Sequence, residues 1–337
     1  MDTNLSDTQI ALKDMAESFF LKESPLERVR EAEDLGFDEE LWTGVTKIDL
    51  PVLGVADELG GQGGCLVDLV VVAMAYGRAL APIPLIEAMV ANRLLSRCGA
   101  VVEPDSLDIV TYVPRVVRDG RVRAVPAGAV ASRMVTFDGE RLLLSNLDGP
   151  VPRLSPRNLG SMPLADCAVA KDATVLAEGD LARELHEAAL SEWKLLTAAA
   201  LVGLGQRALE IALDYVKQRK AFGAVIGGFQ GVSHPLSNDT VALDGAYLLC
   251  LKAAWCLDNE TPDGACIAGM AYYHAVESAR TATADVVHVH GGIGFTMEAD
   301  PQLFFRRAKA WPLVCGDPEQ ELDTIAGQMI QRYLQEA

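Results

Sequence analysis

Two histidines, a glycine cluster, an acidic pair and a basic cluster fall within one short span, VHVHGGIGFTMEADPQLFFRRAKAW, from Val287 to Trp311. Histidine nitrogens and carboxylates could hold a metal ion, and a glycine turn could let a cofactor approach the backbone. His288 and His290 stand two apart on a predicted helix, so their side chains point away from each other. Because the sequence also lacks an HExxH or ExxH pattern, we do not predict a metal site.

Two other kinds of catalytic site are also disfavoured by the residues. A serine hydrolase of the elbow type needs a GxSxG pattern, and the sequence has none. The stretch HGGIGF follows a helical pattern with no βαβ unit around it, so it does not predict a dinucleotide fingerprint. Taken alone, GGIG is equally typical of a helix end followed by a turn.

A second stretch, QRKAFGAVIGGFQ, lies upstream at residues 218–230. Arg219 and Lys220 close a long predicted helix, where two cations could simply stabilise the negative end of the helix dipole. Alternatively, the arginine fork could contact a pyrophosphate. Phe222 could be a core residue and Gln230 a helix cap, so the residues by themselves leave both interpretations open.

Composition limits the classes of protein that remain. The chain has 337 residues, 50% of them hydrophobic, which is enough for two or three domains. A net charge of −18 disfavours nucleic acid as a partner, although a local basic cluster could still bind a small anion. We find no secretory signal, no uninterrupted apolar run of membrane-spanning length and no CxxC pair among seven dispersed cysteines. These features predict a cytoplasmic globular protein with reduced thiols.

The elements that must position these residues fall into three predicted domains, 1–103, 104–180 and 181–337. The first is predicted to be helical, from TQIALKDMAESFFLK and from CLVDLVVVAMAYGRALAP, which Pro82 and Pro84 would end. The glycine-rich stretch LPVLGVADELGGQGG would connect the two helices.

The second predicted domain is a small β region with long loops. RVRAVPA, MVTF and RLLLSNL resemble strands, and the pairs Asp119-Gly120 and Asp138-Gly139 indicate hairpins. Prolines recur after these runs, in GPVPRLSPRNLGSMPLADC.

The third predicted domain is again helical. One long helix would run through LHEAALSEWKLLTAAALVGLGQRALEIALDYVKQRKAFG, and further helices would span about 233–258, 262–290 and 299–310, with a last one from Glu319. Gly203 and Gly205 inside the long helix predict close packing against another helix, since each would otherwise cost up to about 1 kcal/mol relative to alanine.

Together, QRKAFGAVIGGFQ and HVHGGIGFTMEADPQLFFRRAK resemble the C-terminal domain of the flavin-dependent acyl-CoA dehydrogenases. LGGQGGCLVDLVVVAMAYGRALAPIPL is similar to their N-terminal domain, especially in the actinobacterial branch. The resemblance covers nearly the whole chain and is weak only in the β region. It implies an α+β fold with an N-terminal helical domain, a small middle β domain and a C-terminal four-helix bundle.

The resemblance also implies FAD as the cofactor, bound across a subunit interface. It assigns cofactor contacts to six residues: Arg219, Phe222, Gln230, His288, Gly291 and Gly292. The first three would reach the pyrophosphate and adenine side of the FAD held by a neighbouring subunit. The two glycines would let the backbone approach it, and the histidine replaces a family glutamine.

The family places its catalytic carboxylate at one of two positions, and neither holds a carboxylate here. One position, in the turn after the glycine motif, corresponds to Cys315, which Gly316 follows. The other, on the long helix, corresponds to Trp193. Glu192 is adjacent, but one residue turns a helical side chain by about 100°. The resemblance therefore implies no catalytic residue in this chain unless Glu192 is displaced into the role.

The β region departs from the family as well. The family's Thr-Glu-Pro, Gly-Ser-Asp and Trp-Ile-Thr stretches, which face the flavin, are absent between residues 104 and 180. The half-site that would hold the isoalloxazine ring within this subunit is therefore predicted to be lost. The half-site that reaches a neighbour is predicted to be kept.

These departures lead to one hypothesis and two alternatives. The hypothesis is a non-catalytic, FAD-contacting subunit paired in an α2β2 tetramer with a second, catalytic acyl-CoA dehydrogenase-like subunit. Its substrate would be a bulky acyl-CoA such as a steroid side-chain CoA, and its acceptor an electron-transfer flavoprotein or a similar protein. The alternatives are a complete homotetrameric dehydrogenase that uses Glu192 or another displaced acid, and a scaffold that binds no cofactor.

Overall fold

The computed structural model describes residues 3–103 and 106–336, in which a helical, a β and a second helical region follow one another. The first region holds five helices: α1 Asp7–Glu23, α2 Leu26–Glu31, α3 Glu39–Thr46, α4 Leu66–Arg78 and α5 Leu85–Arg97. The helical character predicted for this part of the chain is confirmed.

Local sequence explains where these helices begin and end. Ser6 and Gln9 cap α1 reciprocally, since the Gln9 N–H donates to Ser6 Oγ at 3.3 Å and the Ser6 N–H donates to Gln9 Oε1 at 3.0 Å. Nine of the 13 residues of α4 are buried, as its continuous apolar pattern predicts. The helix ends at Arg78, before the prolines, and α5 begins directly after Pro84.

The middle region contains six strands in two sheets: β1 Val110–Val116, β2 Arg121–Val125, β3 Arg133–Phe137, β4 Arg141–Asn146, β5 Ala165–Ala168 and β6 Thr174–Glu178. The larger sheet has the order β1-β3-β4-β6, in which β1 and β3 are parallel and the other pairs antiparallel. The smaller sheet pairs β2 with β5. The sequence pattern predicts β2, β3 and β4 but misses the other three strands.

One of the two hairpin predictions is confirmed and the other is wrong. Asp138 and Gly139 join β3 to β4, where Phe137 pairs with Leu142. At the Asp119-Gly120 pair the chain does turn, but only an isolated bridge between Arg118 and Arg121 closes the turn. The flanking strands then join different sheets, because β1 pairs with β3 and β2 pairs with β5.

The last region holds five helices: α6 Gly179–Gln218, α7 Gln230–Asp258, α8 Gly264–His290, α9 Pro301–Ala310 and α10 Gln320–Glu336. Between α6 and α7, the strands β7 Lys220–Ala221 and β8 Ala224–Val225 form a short hairpin. The five predicted helices are confirmed, but α6 begins six residues before Leu185 and does not continue through RKAFG. It ends at Gln218 because Arg219 takes an extended backbone conformation that leads into the hairpin. The domain boundaries at 103/104 and 180/181 remain predictions, although the strands do lie between Val110 and Glu178.

Two helices of this region, α6 and α7, have the length and the apolar composition of helices that cross a membrane. A search for uninterrupted apolar runs misses this property, because both helices contain some polar residues. In α6, 78% of the apolar window is buried inside the protein, and the core helix of a globular protein passes the same test. In α7 the buried share is 39%. One face of α7 exposes apolar side chains seven residues apart: Val241, Leu248 and Trp255.

Helix α6 passes α4 at backbone contact, which only glycine permits. A Cβ on Gly203 would stand 2.1 Å from the Met74 carbonyl oxygen, and one on Gly77 would stand 1.9 Å from the Ala200 carbonyl oxygen. Gly205 is less tightly enclosed, because its Cβ would meet the Leu243 side chain at 2.8 Å. The close helix packing predicted at the two α6 glycines is confirmed.

We expect Gly203→Ala to lower the free energy of unfolding by about 3 kcal/mol or more, because the clash is with backbone and cannot be relieved by a rotamer change. The matched control is Gly327→Ala in α10, where no atom lies within 4 Å of the added Cβ. That change should stabilise the protein by up to about 1 kcal/mol. Urea unfolding followed by circular dichroism measures both, and an equally stable Gly203→Ala protein would contradict the packing.

The first turns of α6 are fixed beneath the larger sheet by His186. Its ring stacks on Phe137 at 4.7 Å between centroids, and its Nδ1 lies 3.0 Å from the Tyr112 hydroxyl. The side chain is buried, and burial lowers the pKa of His186 from 6.5 to about 4.

This buried histidine predicts a loss of stability in acid. The pKa of His186 is lower in the folded state than in the unfolded state, so the unfolded state binds the proton first as the pH falls. The stabilisation that the buried, neutral His186 gives to the folded state is therefore complete above pH 6.5 and is lost as the pH falls towards 4. This loss lowers the free energy of unfolding by about 3 kcal/mol. His186→Gln should flatten the stability profile in this pH range, whereas His234→Gln, at an exposed position, should leave it unchanged. Parallel profiles for His186→Gln and the wild type would show that His186 is not responsible.

Candidate functional site

The segment between α6 and α7 forms a tight two-stranded hairpin at one end of the C-terminal helices. Arg219 caps α6, donating its backbone N–H to the Tyr215 carbonyl at 2.9 Å. Strands β7 and β8 then pair antiparallel. The turn between them is made by Phe222 and Gly223, with φ of +51° and +80°.

Phe222, at the tip of this hairpin, is both strained and uncovered. A bulky residue with positive φ is a conformational outlier that costs on the order of 1–3 kcal/mol. The Phe222 side chain is 98% exposed. Among the described residues, the Phe222 ring has one aromatic contact, an edge contact with Phe229 at 6.3 Å between ring centroids. Burial of the Phe222 ring within the described part of this chain therefore does not offset the cost of its strained backbone.

The glycine turn begins where α8 ends, at His290. Gly291 has φ +64° and ψ −146°, which only glycine adopts readily, and it opens a 3₁₀ turn over Gly291–Phe295. The His290 ring stacks on Tyr215 at 4.2 Å, and its Nδ1–H donates to the Val286 carbonyl at 2.7 Å. This stack joins the end of α8 to the end of α6.

The six residues that the resemblance selects therefore lie at one end of the helical region. Arg219 is one helical turn beyond Tyr215, and Gln230 begins α7 on the far side of the hairpin. Gly291 directly follows the stacked His290. All six are exposed, and neither Gly291 nor Gly292 has an atom within 4 Å of a Cβ position. Their contact with FAD remains a prediction.

This outer rim fits the parts of FAD that the resemblance assigns to it. Among the described residues, no acidic side chain forms an ion pair with Arg219, so its guanidinium is available to a pyrophosphate. Open space beside Gly291 and Gly292 leaves room for close approach of another molecule. The turn also exposes apolar side chains that a second molecule could cover: Ile293, Phe295 and Met297.

The inner side of the site is different. Cys315, which the resemblance aligns with one of the family's two base positions, ends a 3₁₀ turn over Trp311–Cys315. Its thiol donates to the Pro114 carbonyl at 3.5 Å. Burial raises the pKa of Cys315 to about 11. The thiol is therefore protonated at neutral pH and cannot act as a base there.

Trp193, which the resemblance aligns with the other base position, fills space instead of ionising. Its side chain is 1% exposed and lies against the Tyr272 ring at 6.0 Å between centroids. The Tyr272 hydroxyl donates to the Pro312 carbonyl at 2.9 Å. One residue further along α6, Lys194 forms an ion pair with Glu321 of α10 at 2.7 Å. These contacts close α6, α8 and α10 against one another.

Two arginines bind the Glu192 side chain and hold it away from the base position at Trp193. Its carboxylate is bonded at both oxygens to Arg93, at 3.1 Å each, and one oxygen also accepts from Arg97. Burial disfavours the charged form, but the two arginines outweigh it and lower the pKa of Glu192. A buried carboxylate held in this way by cations is a poor proton acceptor, so the geometry disfavours Glu192 as a displaced base.

A small cavity of about 50 Å³ lies beside Trp193, between α4, α5, α6 and α9. Small-molecule sites usually occupy about 300–1,000 Å³, so the cavity is too small for a bulky acyl-CoA. Its one carboxyl group among the described lining residues is Glu87 of α5. Sequence reasoning missed Glu87, since a glutamate in a helical pattern normally faces solvent.

Comparison with known families agrees with this layout. The N-terminal domain model of the acyl-CoA dehydrogenases matches residues 6–100, and their C-terminal domain model matches residues 184–330. This chain belongs to the acyl-CoA dehydrogenase family. Members are flavoprotein oxidoreductases that act on CH–CH bonds, and the recognition of the family from three sequence stretches is confirmed.

Individual relatives match along almost the full length of this dehydrogenase chain. The acyl-CoA dehydrogenase IpdE2 of Mycolicibacterium smegmatis is 28% identical, over 96% of this chain and 100% of its own. The ChsE4-ChsE5 complex from Mycobacterium tuberculosis contains a chain with a TM-score of 0.86 and 22% identity, covering 98% and 99%. A variant of the Tcur3481-Tcur3483 steroid ACAD has a TM-score of 0.84 at 21% identity, covering 97% and 99%. The two structures confirm the three-part fold.

The two-arginine clamp on Glu192 can be tested directly. We expect Glu192→Gln to destabilise this dehydrogenase chain by about 3–5 kcal/mol, because it leaves two arginines near a buried site without their counter-charge. Glu184→Gln, an exposed change on the same helix, is the control and should be neutral. Thermal unfolding measures both. A Glu192→Gln protein of unchanged stability that lost dehydrogenase activity would instead support Glu192 as the base.

Proposed function

We propose that this chain is the non-catalytic, FAD-contacting subunit of a heteromeric acyl-CoA dehydrogenase. The complex would desaturate the α,β bond of an acyl-CoA thioester. The observation that carries the proposal is a contrast within one chain. The residues that the resemblance assigns to the cofactor are exposed, whereas the two positions that it assigns to a base hold a neutral thiol and a buried indole.

In this proposal the rim serves a cofactor held mainly by the partner. The Arg219 guanidinium would pair with the pyrophosphate, and the exposed Phe222 ring and the Gln230 amide would contact its neighbouring groups. The backbone of Gly291 and Gly292 would approach closely, and His288 would add a hydrogen bond. Bound FAD supplies the hydride acceptor of the dehydrogenation. Insertion into the partner would also cover the Phe222 side chain, which is 98% exposed here.

The base would come from the partner subunit. Removal of the α-proton of a thioester needs a positioned carboxylate of suitable pKa. Burial keeps the Cys315 thiol neutral by raising its pKa to about 11, and Glu192 is clamped by Arg93 and Arg97. A partner that carries a carboxylate at the position equivalent to Trp193 or Cys315 would complete the reaction.

The arrangement we propose is an α2β2 tetramer with two FAD sites instead of four. The ChsE4-ChsE5 complex and the Tcur3481-Tcur3483 steroid ACAD support it as relatives of similar fold, and the second supports a steroid side-chain CoA as substrate. An electron-transfer flavoprotein or a similar protein would accept the electrons. The complex would act in the cytoplasm.

The first test is the FAD content of the chain with and without a partner. The partner for this test would be a longer dehydrogenase-like chain with a carboxylate at a base position, to be sought first among the neighbouring genes. We expect the chain alone to retain no FAD and show no activity, and the co-expressed complex to hold one FAD for each pair of chains. If the chain without a partner bound one FAD per chain and showed dehydrogenase activity, the homotetramer would be favoured and the proposal contradicted.

The second test is Arg219→Ala in the co-expressed complex. Loss of a charge-assisted hydrogen bond should weaken FAD binding by about 10–100-fold, measured by fluorescence as FAD is released on dilution. The control is Arg183→Ala at the opposite end of α6, which should leave FAD affinity unchanged. If the complex forms and Arg219→Ala does not alter FAD binding, the cofactor-free scaffold is the better explanation.

A further inference from the structure

A cavity of about 360 Å³ lies where the N-terminal helices meet the larger β sheet, and we call it the junction cavity. Its lining comes from helices α3 and α5, a 3₁₀ turn over Leu50–Val52, the loop after α5, and strands β1, β3 and β4. Small-molecule sites usually occupy about 300–1,000 Å³, so this volume is sufficient for a ligand. None of the described lining residues is a base position or one of the six residues assigned to the cofactor.

Arg133, the first residue of β3, brings a positive charge to the junction cavity. The guanidinium forms no ion pair with the described residues, and its Nε–H is buried without a hydrogen-bond partner. A buried donor that stays unpaired costs free energy, and the cost is larger for a charged group. A carboxylate can accept two parallel hydrogen bonds from the guanidinium fork. The arginine therefore favours a ligand that carries a carboxylate.

An amide of α5 adds a hydrogen-bond acceptor to the lining. The Asn92 side chain is 8% exposed, and its Nδ2–H donates to the Pro51 carbonyl at 3.0 Å. Its Oδ1 accepts no hydrogen bond from the described residues, so it can accept one from an ammonium or a hydroxyl group. The Trp42 indole N–H is already used, because it donates to the Leu107 carbonyl at 3.0 Å. Trp42 therefore contributes apolar surface and no donor.

Two carboxylates of the loop between α5 and β1 also line the cavity. Glu103 and Asp108 are exposed, and neither forms an ion pair with the described residues. The described lining thus carries one positive charge, on Arg133, and two negative charges. A simple anion would be repelled by the two acids, whereas a molecule with both a carboxylate and an ammonium group can pair with both signs of charge.

We propose that the junction cavity binds a free amino acid with a small aliphatic side chain. Its carboxylate would pair with the Arg133 guanidinium. Its ammonium group would donate to Asn92 Oδ1 and to the carboxylates of Glu103 and Asp108. The aliphatic side chain would lie against the apolar part of the lining, which includes Leu95. The site requires neither FAD nor a second chain.

The test is calorimetric titration of the isolated full chain with alanine, valine and leucine. We expect saturable binding with a dissociation constant on the order of 1 mM for the best of the three. Two analogues of leucine each lack one charged group. 3-Methylbutylamine has no carboxylate and should bind at least about tenfold more weakly than leucine, and 4-methylpentanoate has no ammonium group and should bind about fivefold more weakly. If none of the three amino acids binds saturably, or if 4-methylpentanoate binds as tightly as leucine, the proposal is wrong.

A change at Arg133 tests the carboxylate end of the ligand. Arg133→Met keeps much of the side-chain length but removes the charge and the donors, so leucine binding should weaken at least about tenfold. The chain should remain folded, as checked by circular dichroism, because Arg133 has no ion-pair partner to lose. Arg121→Met, at an exposed position of β2, is the control and should bind leucine like the wild type. Unchanged leucine affinity of a folded Arg133→Met protein would contradict the proposal.

Two exposed changes made together test the ammonium end. The double variant Glu103→Gln with Asp108→Asn should bind leucine about fivefold more weakly, since both carboxylates are removed. It should bind 4-methylpentanoate at least as well as the wild type does, because the repelling charges are gone. Glu140→Gln, exposed in the turn between β3 and β4, is the control. Equal weakening of both ligands by the double variant would overturn the proposal. All of these measurements use the isolated chain without FAD, so their outcome is independent of the subunit role proposed above.

Discussion

The close approach of α6 to α4 determines where almost every feature of this chain lies. Gly77 and Gly203 allow the two backbones to touch, which fixes the middle of a helix about 60 Å long against the N-terminal domain. One end of α6 then lies beneath the β sheet, where His186 is buried, and the other end leads into the hairpin with Phe222. A shift of either helix would displace all three regions together.

The same helix presents different environments at its middle and at its outer end. Over three consecutive residues, Glu192, Trp193 and Lys194, it turns a carboxylate towards Arg93, an indole towards the cavity and an ammonium towards α10. Each side chain is satisfied or enclosed by this chain's own residues. The outer end of the helix differs, since the hairpin that follows it leaves the Phe222 ring 98% exposed and Arg219 without an ion pair among the described residues.

Much of the helical architecture could be predicted because its signals are local. The Ser6–Gln9 cap and the glycine after His290 mark helix ends within a few residues of sequence. The β pairings could not be predicted in the same way. A turn signal such as Asp119-Gly120 says that the chain reverses, but the choice of partner strand depends on residues far away in sequence.

The residues of the candidate site also divide into those that local sequence signals reveal and those that depend on distant parts of the chain. Arg219, Phe222 and the glycine turn could be located from two sequence stretches, and the stack between Tyr215 and His290 explains why those stretches meet. The ion pair of Glu192 with Arg93 joins positions 99 residues apart, and no local pattern reports it. Glu87 is equally invisible in sequence, because four separate elements create its cavity.

The hairpin tip also bears on how the protein is maintained in the cell. An exposed aromatic ring on a strained turn is the kind of surface that chaperones and proteases recognise on incompletely assembled proteins. A chain that left Phe222 uncovered would be removed faster than one whose tip is enclosed by another protein. In the heteromer that we propose, turnover would then match the supply of this chain to the supply of its partner without any dedicated regulator.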